Sequence, residues 1–357
     1  MEKSGDRPVE KPCMRYDGGA GPIISLLESS LKLFPLLSSA LLGLGLLACG
    51  QSSGPSITTV AAPASTPVVA APPSRQIGLV MKTLTNPFFI EMEKGARRAE
   101  KELGIALIVK TAAQETSIEQ QIQLVYDLVA AKVDAIVIAP GDSQSLIPAL
   151  KKAADAGIKV VNIDNRLDPD ALKQAGLGEI PFIGVDNDAG AYKAGKFLAG
   201  MASKPAQAAI LEGIRSADNA RQRMEGAKRA LAENKQIKLV ASETANWKID
   251  EAYAVTKALF TKHPDILLLF AANDMMAIGA VKYLQESGKA KVNVVGYDAL
   301  AEAAAEIKAG RMAATVDQQA AEQGYQGVAM ALQLIKGAKA PALTLIDTRL
   351  VTAADLK

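Results

Sequence analysis

"QIGLVMKTLTNPFFIEM", Gln76–Met92, carries a short apolar run, an Asn-Pro pair and two adjacent phenylalanines. The run "QIGLVMKT" reads as a buried strand. "PFFIEMEKGARRAEKEL" has helical spacing, opens on Pro87 and stops at Gly104, so a strand passes directly into a helix. In an open parallel sheet such a junction, at the carboxyl end of a strand, is where ligands bind. Phe88 and Phe89 sit there, in a chain that is only 4% aromatic. They are either core or part of a site.

The same unit recurs downstream. "IGLVMK", "IALIVK", "DAIVIAP", "IKVVNID", "FIGVD", "AAILEG", "IKLVAS", "ILLLFAAND", "VNVVGYD" and "AATVDQ" alternate with amphipathic stretches, several closed by glycine, at Gly104, Gly157, Gly288 and Gly310. This predicts an α/β protein of doubly wound parallel sheets with helices on both faces. The runs are too many for one sheet. The connection "NRLDPDALKQAGLGEIP" breaks the rhythm, dividing them into two sheets, the second from near Val185.

With 357 residues, 49% of them hydrophobic, the chain can build two domains with real cores, and a formal net charge of +2 leaves no electrostatic footprint for nucleic acid. Its beginning differs in character. "LKLFPLLSSALLGLGLLACGQ", Leu31–Gln51, holds an apolar run short for a membrane span and ends on Leu47-Ala48-Cys49-Gly50, which resembles a bacterial lipobox. Residues 1–49 are therefore expected to form a leader, cut before Cys49, whose thiol receives a lipid. Acidic residues dilute the first thirty positions, so translation from near Leu31 gives a more ordinary signal peptide. Residues 50–75, rich in Pro, Ala, Ser and Thr, read as a disordered tether. Cys13 is the only other cysteine, so no disulfide framework is possible after cleavage. These features place the folded part outside the cytoplasmic membrane, attached by lipid alone.

Nearly every strand ends on a side chain able to hydrogen-bond: Lys82 and Asn86, Asp164 and Asn165, Asn273 and Asp274, Asp298, Gln318. Each alone can be a helix cap. Together they describe a ring of donors and acceptors around a cleft, suited to a ligand covered with hydroxyls. The apolar faces of a sugar want flat partners, which Phe88, Phe89 and the lone Trp247 can supply.

"VMKTLTNPFF", "VNIDNR", "LEGIRSADNARQRMEG", "FAANDMMAIGA", "VVGYD" and "TVDQ", in this order, resemble the periplasmic ribose- and allose-binding proteins of ABC transporters, from Gln76 nearly to the C-terminus. The resemblance implies a type I two-lobed clamp with a three-strand hinge, residues 76–184 and 319–347 forming the first lobe and 185–318 and 348–357 the second. It carries sugar contacts onto Asn86, Phe88, Phe89, Asp164, Arg223, Trp247, Asn273, Asp298 and Gln318. Lys82 matches a lysine of allose-binders. Asn165 departs from both patterns and is counted as a contact, with Arg166 as the alternative; of the two helix arginines Arg223 is chosen over Arg221. The implied function is capture of a monosaccharide by a monomer and its delivery to the membrane subunits of an ABC permease.

Other classes fit less well. The sole histidine, His263, precedes a proline between helix and strand, no His/Cys ligand set exists, and no G-x-G-x-x-G follows the first strand. No cofactor or metal is therefore expected. Asp164 and Asp298 could serve glycoside cleavage, but sugar hydroxyls alone require both. A leader and tether stand where a two-lobed repressor needs a DNA-binding domain. A sensory receptor presenting the sugar-bound form to a chemoreceptor or kinase remains the alternative to transport.

Overall fold

The computed structural model describes residues 75–357. The leader, the tether and Cys49 lie outside the described residues.

Two six-stranded sheets repeat one plan. The first runs β2 (Ala106–Thr111), β1 (Gln76–Met81), β3 (Ala135–Ile138), β4 (Lys159–Ile163), β5 (Phe182–Val185), β11 (Leu343–Ile346) from edge to edge. The second runs β7 (Ile237–Thr244), β6 (Ala206–Glu212), β8 (Ile266–Ala271), β9 (Asn293–Val295), β10 (Ala314–Asp317), β12 (Arg349–Thr352) in the same sense. Pairing is parallel throughout except that β12 lies antiparallel to β10. Interior strands β3 and β8 are almost wholly buried, as helices on both faces require, while edge strands β2 and β7 are largely half-exposed.

In the first lobe α1 (Pro87–Leu103), α2 (Ile118–Ala130), α3 (Ile147–Asp155) and α4 (Pro169–Gln174) link the strands. In the second the links are α6 (Asp218–Glu233), α7 (Ile249–Lys262), α8 (Asp274–Glu286) and α9 (Ala301–Lys308). The remaining two helices exchange places: α5 (Asn187–Gly200) follows the first lobe's β5 but packs on α6, and α10 (Ala320–Ile335) follows the second lobe's β10 but packs on α1. The chain thus crosses between lobes after β5, after β10 and between β11 and β12, giving a three-strand hinge.

The opening junction forms for local reasons. Asn86 stands before Pro87 in an extended conformation, and its side-chain oxygen accepts the Phe88 amide at 3.0 Å, capping α1. At the far end Gly104 turns left-handed, φ 65°, and its amide donates to the Glu100 carbonyl. Gly157, Gly288 and Gly310 also have positive φ just beyond their helices. The ten strand-like runs correspond to β1 through β10, whereas β11 and β12 were not legible. The break in rhythm also precedes β5, yet β5 still belongs to the first sheet, and the change of lobe comes only after it. The interrupting stretch itself holds α4, capped by Asp168.

Candidate functional site

The polar strand ends converge. Lys82, Asn86, Phe88, Phe89, Asp164, Arg223, Trp247, Asn273, Asp298 and Gln318, ten of the eleven residues singled out from the sequence, line one cavity between the lobes, joined by Glu115 and Asn219. Its empty space, including the part open to solvent, is about 220 Å³. A larger open groove beside α4, lined by Arg166, Leu172 and Lys173 among others, gathers no comparable set of buried polar groups.

The first lobe supplies a wall of matched pairs. Lys82, 3% exposed, places Nζ 2.8 Å from Asp164 Oδ2, and Nζ also lies 5.5 Å from the Phe89 ring centroid. The ion pair is not aligned as a hydrogen bond, so Asp164 Oδ2 stays open to a donor. Asn86, whose oxygen caps α1, donates from Nδ2 to Glu115 Oε1 at 2.9 Å. Capping and lining the site are therefore one role, since the amide has two ends. Phe88 and Phe89 meet edge to face, 5.2 Å between centroids, and belong both to the core and to the cavity wall.

The second lobe's wall is built around Arg223. Its Nε donates to Asn187 Oδ1 at 2.8 Å and one terminal nitrogen to the Ala272 carbonyl at 2.9 Å; that nitrogen stands 3.5 Å from Asp298 Oδ1. The guanidinium stacks 3.8 Å from the Tyr297 ring centroid. Asp298 takes its shortest bond, 2.6 Å, from Gln318 Nε2 at a hinge crossing. Asn273 caps α8 by accepting the Met276 amide and donates to the Trp247 carbonyl at 3.3 Å. Trp247 itself has φ 69°, and its indole lies so close over Gly213 that any side chain there would collide with the ring.

Backbone strain gathers at this cavity. Of the seven non-glycine residues with positive φ among the described residues, Asp164, Trp247 and Asp298 line it, Asn246, Ala299 and Gln319 are chain neighbours of residues that do, and Lys132 lies elsewhere. The charges nearly cancel. Against two cations stand three carboxylates, but burial pushes the Glu115 and Asp298 carboxyls above their usual range, Lys82 and Arg223 respectively offsetting part of that rise. A nearly neutral cavity rich in donors and acceptors suits a neutral, polar solute held by hydrogen bonds.

Asn165, expected as a ligand contact, is fully buried and does not line the cavity. Its Nδ2 donates to the Pro140 carbonyl and Ser143 Oγ, and its Oδ1 accepts the Asn219 amide of the other lobe at 3.1 Å. Beside it Ser143 Oγ accepts the Asp218 amide at 3.0 Å. The polarity of Asn165 is thus consumed in joining the lobes. Arg166 is no substitute, since its guanidinium lies 5.9 Å from the Phe182 ring in the outer groove. Arg221 is exposed and bonds Asp218. His263 ends α7 as its C-cap, half-buried.

Two lining residues were missed. Glu115 follows β2 in "TAAQET", where the strand end carries a polar tip like the others, so its position was the available signal. Asn219 lies inside a helical stretch, and nothing in its spacing marks it.

A family model described as a periplasmic binding protein domain matches residues 77–339. The chain is 42% identical over 269 residues to a D-ribose/D-allose-binding protein of Pseudomonas aeruginosa, covering 74% of this chain and 84% of that one. It is 34% identical to a D-allose-binding periplasmic protein of Escherichia coli, over 78% of this chain and 92% of its relative. Among solved structures, an ABC transporter periplasmic solute-binding protein from Actinobacillus succinogenes with bound D-allose superposes with a TM-score of 0.75 at 43% identity, covering 79% of this chain and 99% of that one.

Proposed function

This chain belongs to the periplasmic binding protein family, and on that premise we propose that it captures a monosaccharide, an aldose of the ribose or allose kind, outside the cytoplasmic membrane and delivers it to an ABC permease. The observation that carries the reading is a nearly neutral cavity into which both lobes send buried hydrogen-bonding side chains. The relatives named for D-allose and D-ribose support the sugar class. Lys82, Asn86, Asp164, Arg223, Asn273, Asp298 and Gln318 grip hydroxyls, with Glu115 added to them. Phe88, Phe89 and Trp247 cover the sugar's apolar faces.

The mechanism is binding without chemistry on the solute. Sugar contacts both walls only when the lobes are together, so it stabilises that arrangement over an open one. The chain passes between the lobes after Val185, near 318/319 and near 347/348, and the three crossings bend there. Closure creates a surface from both lobes that a permease can recognise. The lipobox-like sequence ending at Cys49 supports a lipid anchor on a protein that acts as a monomer.

Calorimetry and thermal unfolding against a panel of pentoses and hexoses test the reading. At free sugar 100 times its dissociation constant the protein should gain about 2.7 kcal/mol of stability. Absence of any response across the panel overturns it.

A further inference from the structure

We infer that Asn219 selects the ligand: its side-chain carbonyl accepts a hydrogen bond from one hydroxyl of the bound aldose. The inference rests on the sugar-capture reading above and adds a contact that neither strand-end position nor helical spacing indicates.

Asn219 is the second residue of α6, lines the cavity and is 3% exposed. Among the described residues its Oδ1 has no hydrogen-bond partner. A buried carbonyl without a donor is unfavourable, and such groups call for a particular explanation. Neighbouring asparagines differ. Oδ1 of Asn86 accepts the Phe88 amide, that of Asn273 the Met276 amide, that of Asn187 the Arg223 Nε, and that of Asn165 the Asn219 amide itself. Each of those carbonyls is committed inside the protein, and the one on Asn219 is not.

Among the described residues neither Arg223, which donates to Asn187, the Ala272 carbonyl and Asp298, nor Lys82, which is ion-paired with Asp164, hydrogen-bonds to it. A hydroxyl of the solute is a donor that fits. The residue is also fixed in position, because its own amide and that of Asp218 are held across the cleft by Asn165 and Ser143. A neutral acceptor held in this way distinguishes a hydroxyl from a hydrogen at one carbon, since the deoxy sugar leaves the carbonyl unpaired.

The test uses the folded full-length protein, the aldose that it binds most tightly in the panel, and the series of its single deoxy analogues, by calorimetry. Asn219→Ala should weaken the parent sugar by on the order of tenfold and leave one deoxy analogue, the one lacking the contacted hydroxyl, unchanged. Asn219→Leu, similar in shape but without the carbonyl, should reproduce the pattern and serves should the alanine variant unfold. Equal losses across the whole series, or no loss, overturn the inference while leaving sugar capture standing. Failure of the unaltered protein to bind any aldose overturns both.

Discussion

The two lobes share a strand order, yet they furnish the cavity differently. In the first, opposite charges meet within the lobe, Lys82 with Asp164, and Asn86 satisfies Glu115. In the second, Arg223 is drawn back onto Asn187 and the Ala272 carbonyl, Asp298 is taken by Gln318 at the hinge, and buried Asn219 Oδ1 and Trp247 Nε1 have no partner among the described residues. One topology thus supports a wall whose charges pair within the lobe, leaving Asp164 Oδ2 open, and a wall whose arginine is drawn back, leaving Asn219 Oδ1 and Trp247 Nε1 open. The difference teaches that the fold sets where strand ends meet, while the residues at those ends decide which polar atoms each wall leaves for the ligand.

The largest expected effects come from breaking the principal charged group of each wall. Asp164→Ala leaves Lys82 without its counter-charge inside the closed cleft, at about 3–5 kcal/mol. Since water can reach Lys82 when the lobes part, the loss should appear as a more than hundredfold fall in sugar affinity, with the free protein melting nearly as before. Arg223→Ala should weaken binding comparably and also lower the melting temperature of the free protein, because Arg223 is tied to its own lobe. Calorimetry beside thermal unfolding separates the two. A free-protein melting loss for Asp164→Ala and none for Arg223→Ala would reverse the assignment of the walls.

Trp247 sharpens the second wall. It is the only tryptophan in the chain, so its emission reports the cavity alone. Sugar should change that emission saturably, and Trp247→Ala should weaken binding by about 1–3 kcal/mol, as for loss of a large aromatic contact. Unaltered affinity in that variant would leave stacking to Phe88 and Phe89.

These walls were legible in the sequence to different degrees. A strand end announces itself, because an apolar run stops at a polar residue, and Lys82, Asp164, Asn273, Asp298 and Gln318 all follow that rule. Asn165 follows it too but does not line the cavity; sequence position cannot tell a side chain pointing into a cavity from one turned toward Ser143 and Asn219. Asn219 reaches the cavity from the start of a helix, where local pattern carries no mark of the opposite lobe. Strands β11 and β12 escaped for a related reason. They are four-residue edge strands with no helix between them, and Leu343 and Leu345 are exposed, so neither a buried run nor a strand-helix alternation was present. The positive φ values at Asp164, Trp247 and Asp298 follow from tertiary fit and had no signature in these non-glycine residues.

The turns after β3 and β8 extend the comparison to pH. Asp142 in the first lobe is held below the usual carboxylate range: burial opposes this, but the Ser216 hydroxyl and the Ser145 and Gln144 amides outweigh it. Asp274 in the second lobe is pushed up to about 6, chiefly by burial, despite bonds from Thr315 and Leu300. The folded protein therefore keeps this proton between about pH 4 and 6 while the unfolded chain releases it, so stability falls as pH rises through that window and stays lowered above it. Asp274→Asn should reduce the stability difference between pH 4.5 and 6.5 by about 2 kcal/mol, read by denaturant unfolding. Glu115 and Asp298, also raised, leave a residual slope. An unreduced difference would move the titration to those two groups.

The smallest expected effect concerns how the equivalent helices α1 and α6 begin. The first is capped by its own Asn86, but α6 has Ala217 at its N-cap, which offers no side-chain bond. Its first two amides are accepted instead by Ser143 Oγ and Asn165 Oδ1 of the opposite lobe, and the Ser143 amide donates to the Ser216 carbonyl at 3.3 Å. A cap supplied across the cleft exists only when the lobes are together, so its stabilisation belongs to closure and not to the fold of either lobe. Ser143→Ala and Asn165→Ala should each remove about 1 kcal/mol, several-fold in affinity, by the same factor for every aldose bound. That uniformity is the point of the measurement, because a residue touching sugar changes the order of preference whereas a latch does not. If Asn165→Ala altered the ranking of aldoses and the Asn165→Ala/Asn219→Ala double variant altered it further than Asn219→Ala alone, Asn165 would return to the cavity wall where its strand-end position first placed it, and the lobes would lose their asymmetry in capping.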